Sequence, residues 1–143
     1  MDDKKYLIII LLVTIGLREY NLRHPYFIGN DAYQHYRVIR QAMNEGGLQH
    51  YDLSYGDPEV LEPHGFYYIT LIPAYLLGLK TAFLLTPLIS GLLCVFITYF
   101  LMKDLFNERV GLITALILGL SIAHAYRTSP NTYRGDGFYL TIF

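Results

Sequence analysis

The chain has 143 residues and a formal net charge of −1 at pH 7, with 11 basic and 12 acidic side chains. That balance leaves no basic footprint for nucleic acid, and one cysteine, Cys94, excludes an intrachain disulfide. Hydrophobic residues make up 53% of the sequence and mean hydropathy is +0.30, which is more apolar than an ordinary soluble domain of this size and points to an all-α integral membrane protein.

Apolar runs of unequal length set the expected topology, because crossing roughly 30 Å of hydrocarbon takes about 20 helical residues. The first run, Tyr6 to Leu17, is short, but with Arg18 and Glu19 at the interface a span over about 6–22 is expected. Lys4 and Lys5 before it favour a cytoplasmic N-terminus. A cleaved signal peptide is the competing reading, opposed by the bulky, charged Leu17-Arg18-Glu19-Tyr20 where small residues would be needed. A large external loop follows over about 23–80.

Within that loop, Gly29-Asn30-Asp31-Ala32-Tyr33 opens a helix expected over roughly 32–45, with Asp31 as N-cap and Gly46-Gly47 as its stop. Val38, Ile39, Ala42 and Met43 mark its apolar face, and His35 falls toward that face as a packed residue rather than a ligand. Asp57-Pro58-Glu59 and Glu62-Pro63-His64-Gly65 read as proline-governed turns. The segment 66–79, interrupted by Pro73 and ended by Gly78, fits an interfacial or re-entrant piece better than a crossing.

Residues 81–102 form a clear span and 110–126 a shorter one, joined by a cytoplasmic turn over 103–109. Gly111, Ala115, Gly119 and Ala123 recur every fourth residue, as do Ser90, Cys94 and Thr98, in packing stripes that let backbones approach. A second external loop over 127–136 carries Arg127, Arg134 and Asp136, and an incomplete span starts at 137. If 66–79 does not cross, Asp31 and Asp136 lie on the same face of the bilayer. Two carboxylates there can hold a divalent ion, whereas each alone is equally well read as a helix cap or interfacial charge.

Asp31 within Asn30-Asp31-Ala32-Tyr33-Gln34-His35-Tyr36-Arg37, the Pro63-His64-Gly65 turn, and Arg127-Thr128 followed by Gly135-Asp136 resemble the start of an archaeal-type oligosaccharyltransferase catalytic subunit. The resemblance runs through most of the chain. It implies the N-terminal part of a multi-span helical bundle of the GT-C glycosyltransferase class, inactive alone, from a protein several times longer. It further implies a Mn²⁺ or Mg²⁺ ion held by Asp31 and Asp136, with Asp31 also the catalytic carboxylate. Phe138 stands where a second acidic residue would follow Asp136, so another residue or water would complete the shell. The family's WWDYG signature is absent from these residues. The partners implied are a polyprenyl (dolichyl)-linked glycan donor, an acceptor polypeptide and the lipid bilayer of the cell membrane. Arg127 and Arg134 are candidates for the donor phosphate, with interfacial snorkelling as the alternative. Two other readings are a GT-C transferase of the protein mannosyltransferase type and a non-enzymatic membrane scaffold or transporter piece.

Overall fold

The computed structural model describes residues 3–19, 26–48 and 64–133, and over these the chain is helical, with no strand among the described residues. Helix α1 (Asp3–Arg18) is followed by α2 (Asn30–Glu45), α3 (His64–Leu77), α4 (Leu79–Leu105), α5 (Glu108–Leu120) and α6 (Ile122–Arg127).

Glycines punctuate this order where the backbone turns left-handed. Gly29 (φ 94°) precedes α2, Gly46 (φ 78°) ends it, and Gly78 (φ 85°) separates α3 from α4. A Cβ at such angles is strained, so these breaks are written into the sequence. At the end of α2 the Gly47 N–H donates to Ala42 O at 3.0 Å, which caps the last turn in a Schellman arrangement. The boundary expected from Gly46-Gly47 therefore stands. Asp31 differs from expectation: the N-cap position belongs to Gly29, and Asp31 sits inside the first turn, where its charge suits the helix dipole. His64 and Gly65, expected in a turn, open α3 instead.

Helix α4 has 27 residues with mean hydropathy 2.1 in its most apolar stretch, long and apolar enough to cross a membrane. Pro87 lies within it, and Pro73 lies within the 14-residue α3. The turn after α4 is closed by Asn107, whose side chain accepts from Val110 N–H at 3.0 Å, and by a Lys103–Glu108 ion pair at 2.8 Å. The outward faces of α1, α4 and α5 are apolar. Ile8, Ile9 and Leu12 on α1, Leu93, Ile97 and Leu101 on α4, and Ile113 and Ile117 on α5 are all exposed.

Two cores hold the helices. One joins Leu7 and Ile10 of α1 to Val95 and Tyr99 of α4 and to Leu112 and Ala115 of α5. The other gathers Ala32, Ile39 and Ala42 of α2, Tyr67, Leu71 and Ala74 of α3, Ala82 and Phe83 of α4, and Tyr133. Small residues set the close approaches. Gly111 lies against the Tyr99 carbonyl, Gly119 against the Thr14 hydroxyl, and Gly91 against Thr128.

The run expected as one helix over 110–126 is divided. Ser121 adopts φ −60°, ψ 120°, ends α5 and caps α6. The four-residue stripe holds for the buried Gly111, Ala115 and Gly119, but the break carries Ala123 out of register and it is exposed.

Candidate functional site

The residues around Asp31 converge with the chain leaving α6. Phe27 packs on Tyr33, Tyr36 and Phe83, with ring centroids 5.5, 5.2 and 5.5 Å away. This anchors the approach to α2 on the start of α4. Beside it the Ile28 N–H donates to Asn131 O at 2.7 Å, joining the segment before Asp31 to the segment that leads toward Arg134 and Asp136. Asn131 itself takes the left-handed conformation (φ 67°), which asparagine tolerates better than most residues.

Beneath Asp31 lies an aromatic and polar layer. His35, one helical turn on, is buried and its Nδ1 is 3.1 Å from the Tyr67 hydroxyl. The His35 ring lies 5.6 Å from that of Tyr133. Tyr133 stacks on Phe83 at 4.1 Å, and its hydroxyl is hydrogen-bonded to that of Thr70. His35 is thus a packed residue, as its place on the apolar face predicts. Tyr26, Phe27, Tyr33, Tyr36, Lys80 and Asn131 line a cavity of about 140 Å³.

Burial pushes the His35 imidazole down to about 4, with the Asp31 charge pulling weakly the other way. Folded His35 is then neutral while the unfolded chain protonates it below about 6.5. Between pH 6.5 and 4 the unfolded state binds the extra proton, so stability falls as pH drops through that window. The contribution is at most about 3 kcal/mol, and thermal unfolding of His35→Gln should show a correspondingly flatter profile between pH 7 and 4 than the wild type.

The Asp31 side chain is exposed at this end, and an accessible carboxylate supplies the hard oxygen that Mg²⁺ or Mn²⁺ prefers. Among the described residues no three His, Cys, Asp or Glu side chains come together. Arg134, Asp136 and Phe138 lie outside the described residues, as do Asp57, Glu59 and Glu62. Arg127 ends α6 half-buried and lines a cavity of about 560 Å³ with His124, Cys94 and Thr98, open along α4 and α5.

One polar centre was not singled out from the sequence. Arg18, expected at the interface, is fully buried. Its Nε donates to Thr128 Oγ1 at 2.9 Å, its Nη1 to the carbonyls of Thr14 (2.9 Å) and Gly119 (3.2 Å), and its Nη2 to His124 Nδ1 at 2.7 Å. Arginine can only donate, so His124 Nδ1 is the acceptor and the ring's proton sits on Nε2. An arginine closing one apolar run and a histidine inside another are the signal that could have found this centre, since ionisable groups at such depth pair with one another.

The family model described as "Oligosaccharyl transferase STT3, N-terminal" matches residues 8–143. A Dolichyl-phosphooligosaccharide-protein glycotransferase 2 from Pyrococcus furiosus is 33% identical over 148 residues, covering 96% of this chain and 20% of the relative. A Dolichyl-phosphooligosaccharide-protein glycotransferase 1 from Pyrococcus horikoshii is 32% identical, covering 98% of this chain and 16% of the relative. The chain therefore spans about a fifth or less of the length of these relatives. The crystal structure of the Archaeoglobus fulgidus oligosaccharyltransferase superposes with a TM-score of 0.79 at 19% identity, over 91% of this chain and 17% of that one, which shows the shared fold. With the match running from residue 8 to the last residue, the chain belongs to the STT3 oligosaccharyl transferase family, in its N-terminal region.

Proposed function

We propose that this chain forms the N-terminal membrane portion of an oligosaccharyltransferase that moves a glycan from a polyprenyl (dolichyl)-phosphate-linked donor to asparagine of an acceptor polypeptide. The observation that carries the reading is the Ile28–Asn131 backbone bond, backed by the His35–Tyr133 contact. It ties the residues just before Asp31 to the residues that end the described chain at Tyr133. Tyr133 is three residues before Asp136, a stretch that reaches at most about 11 Å.

The oily outward faces and the long α4 fit a bundle set in a bilayer, with residues 26–48 and the loop after α6 on its external side. The span limits expected from the sequence (about 6–22, 81–102 and 110–126) and a cytoplasmic N-terminus belong to this proposal. A site at the membrane face suits a lipid-borne donor, since the polyprenyl tail stays in hydrocarbon while the sugar head reaches the external loops.

The acceptor carboxamide nitrogen is a poor nucleophile because its lone pair is delocalised into the carbonyl. Asp31 is the carboxylate that would accept hydrogen bonds from the amide protons and localise that pair. Asp31 and Asp136 would hold a Mn²⁺ or Mg²⁺ ion, which when bound neutralises negative charge on the phosphate leaving group. Arg127, and Arg134 beyond the described residues, are candidates to meet the phosphate oxygens. The test is transfer in membranes carrying the complete protein, with a polyprenyl-linked glycan and an asparagine-containing peptide. An asparagine-linked product is expected. A product linked only to serine or threonine would favour the mannosyltransferase type, and absence of any transfer would favour a scaffold or transporter.

A further inference from the structure

We propose that Arg18 is a positioning residue for the second acidic loop: a buried guanidinium that registers the 128–133 turn against α1. It thereby fixes the position of Tyr133, three residues before Asp136 in the chain. The proposal rests on the reading that Asp31 and Asp136 serve one site.

The energetics argue for a role beyond stability. Arg18 is fully buried, and its hydrogen-bond partners are two carbonyls, a hydroxyl and an imidazole. Taking a charge out of water costs several kcal/mol, and an apolar residue of similar volume is often the more stabilising choice. What the arginine adds is direction. Its planar fork reaches four pieces of structure at once: the Thr14 carbonyl on α1, the Gly119 carbonyl at the end of α5, the His124 ring in α6, and the Thr128 hydroxyl beyond it. Gly119 O is a carbonyl that an unbroken helix would satisfy through residue 123. The break at Ser121 frees it, and Arg18 takes it up.

From Arg18 the constraint passes along the chain. The Thr128 hydroxyl accepts from Arg18 and donates to His124 O at 2.7 Å, so it has no rotational freedom left. Ser129 Oγ donates to Ala125 O at 2.6 Å, and the buried Thr132 hydroxyl lies 2.8 Å from Tyr126 O. Asn131 then receives Ile28, and Tyr133 stacks on Phe83. Every described residue of this turn is buried. One cation at the root of the turn thus holds both its register against α1 and its path toward the acidic loop.

The test uses nitroxide labels at positions 31 and 136 of the complete protein (Asp31→Cys, Asp136→Cys, with Cys94→Ser), read as a dipolar distance distribution. With Arg18 present one narrow population is expected. Arg18→Lys keeps the charge but loses the planar fork, and should broaden the distribution about twofold. Thr128→Val, which deletes a single hydroxyl, should broaden it likewise and carries the test if the lysine variant does not fold. Three results would overturn the proposal: a broad distribution with Arg18 in place, an unchanged width in the variants that fold, or a narrow population retained in Arg18→Met. A narrow, Arg18-dependent population centred too far apart for two carboxylates to share an ion would uphold the positioning role and sink the shared site.

Discussion

Asp31→Asn in the complete protein is expected to lower glycan transfer by at least about a hundredfold while leaving the fold intact. The side chain is exposed and occupies the first turn of α2, whose N-cap is Gly29 with no side-chain cap bond. Its charge there adds a favourable dipole interaction of about 0.3–1 kcal/mol, small against the stability of a folded bundle. Asparagine keeps the shape and one carbonyl oxygen but loses the charge that would bind a divalent ion and draw protons from a carboxamide. Asp136→Asn should fall in the same class. Mn²⁺ titration of the two variants provides a second readout, with weakened binding expected in both. Transfer at the wild-type rate in Asp31→Asn would remove the central residue of the proposed site.

What could be read from the sequence follows physical locality. The extent of α2 came from Gly46-Gly47 and the spacing of Ile39 and Ala42, all effects that act within a turn or two. His35 was legible as packed because helical periodicity puts it on the buried face. The end of the apolar 66–79 segment came from Gly78, whose positive φ few other residues accept. The break at Ser121 was not legible. Nothing in Leu120-Ser121-Ile122 forbids a helix, and the carbonyl it frees is satisfied by an arginine 101 residues away. Arg18 was misplaced for the same reason: at the end of a short apolar run it resembles an interfacial charge, and only tertiary contacts show it turned inward. The joining of the two acidic segments was an expectation from counting crossings. The Ile28–Asn131 bond joins the residues before Asp31 to those before Arg134 through a contact no local pattern encodes, and Asp136 itself lies outside the described residues.

Glycine-to-alanine substitutions should change stability with opposite signs along the chain, depending on what each new Cβ would meet. At Gly16, in exposed helix, nothing lies within 4 Å, so alanine should stabilise by about 0.5–1 kcal/mol through helix propensity alone. At Gly91 the same Cβ would stand 2.6 Å from Thr128 Cβ and Oγ1. Thr128 cannot turn aside without breaking its bonds to Arg18 and His124, so overpacking by about 1–3 kcal/mol should exceed the propensity gain. Gly119→Ala meets the Thr14 hydroxyl, which is buried without a hydrogen-bond partner. Removing that hydroxyl costs no bond, so Thr14→Ala should rescue Gly119→Ala, giving a favourable coupling of about 0.5–3 kcal/mol in a double-mutant cycle. No such rescue is expected for Gly91→Ala with Thr128→Ala, because alanine at 128 keeps the Cβ that the new methyl meets at 2.6 Å. Thermal unfolding in detergent measures all of these variants. A destabilised Gly16→Ala, or a Gly91→Ala as stable as the wild type, would show that the helices are not packed at the separations described.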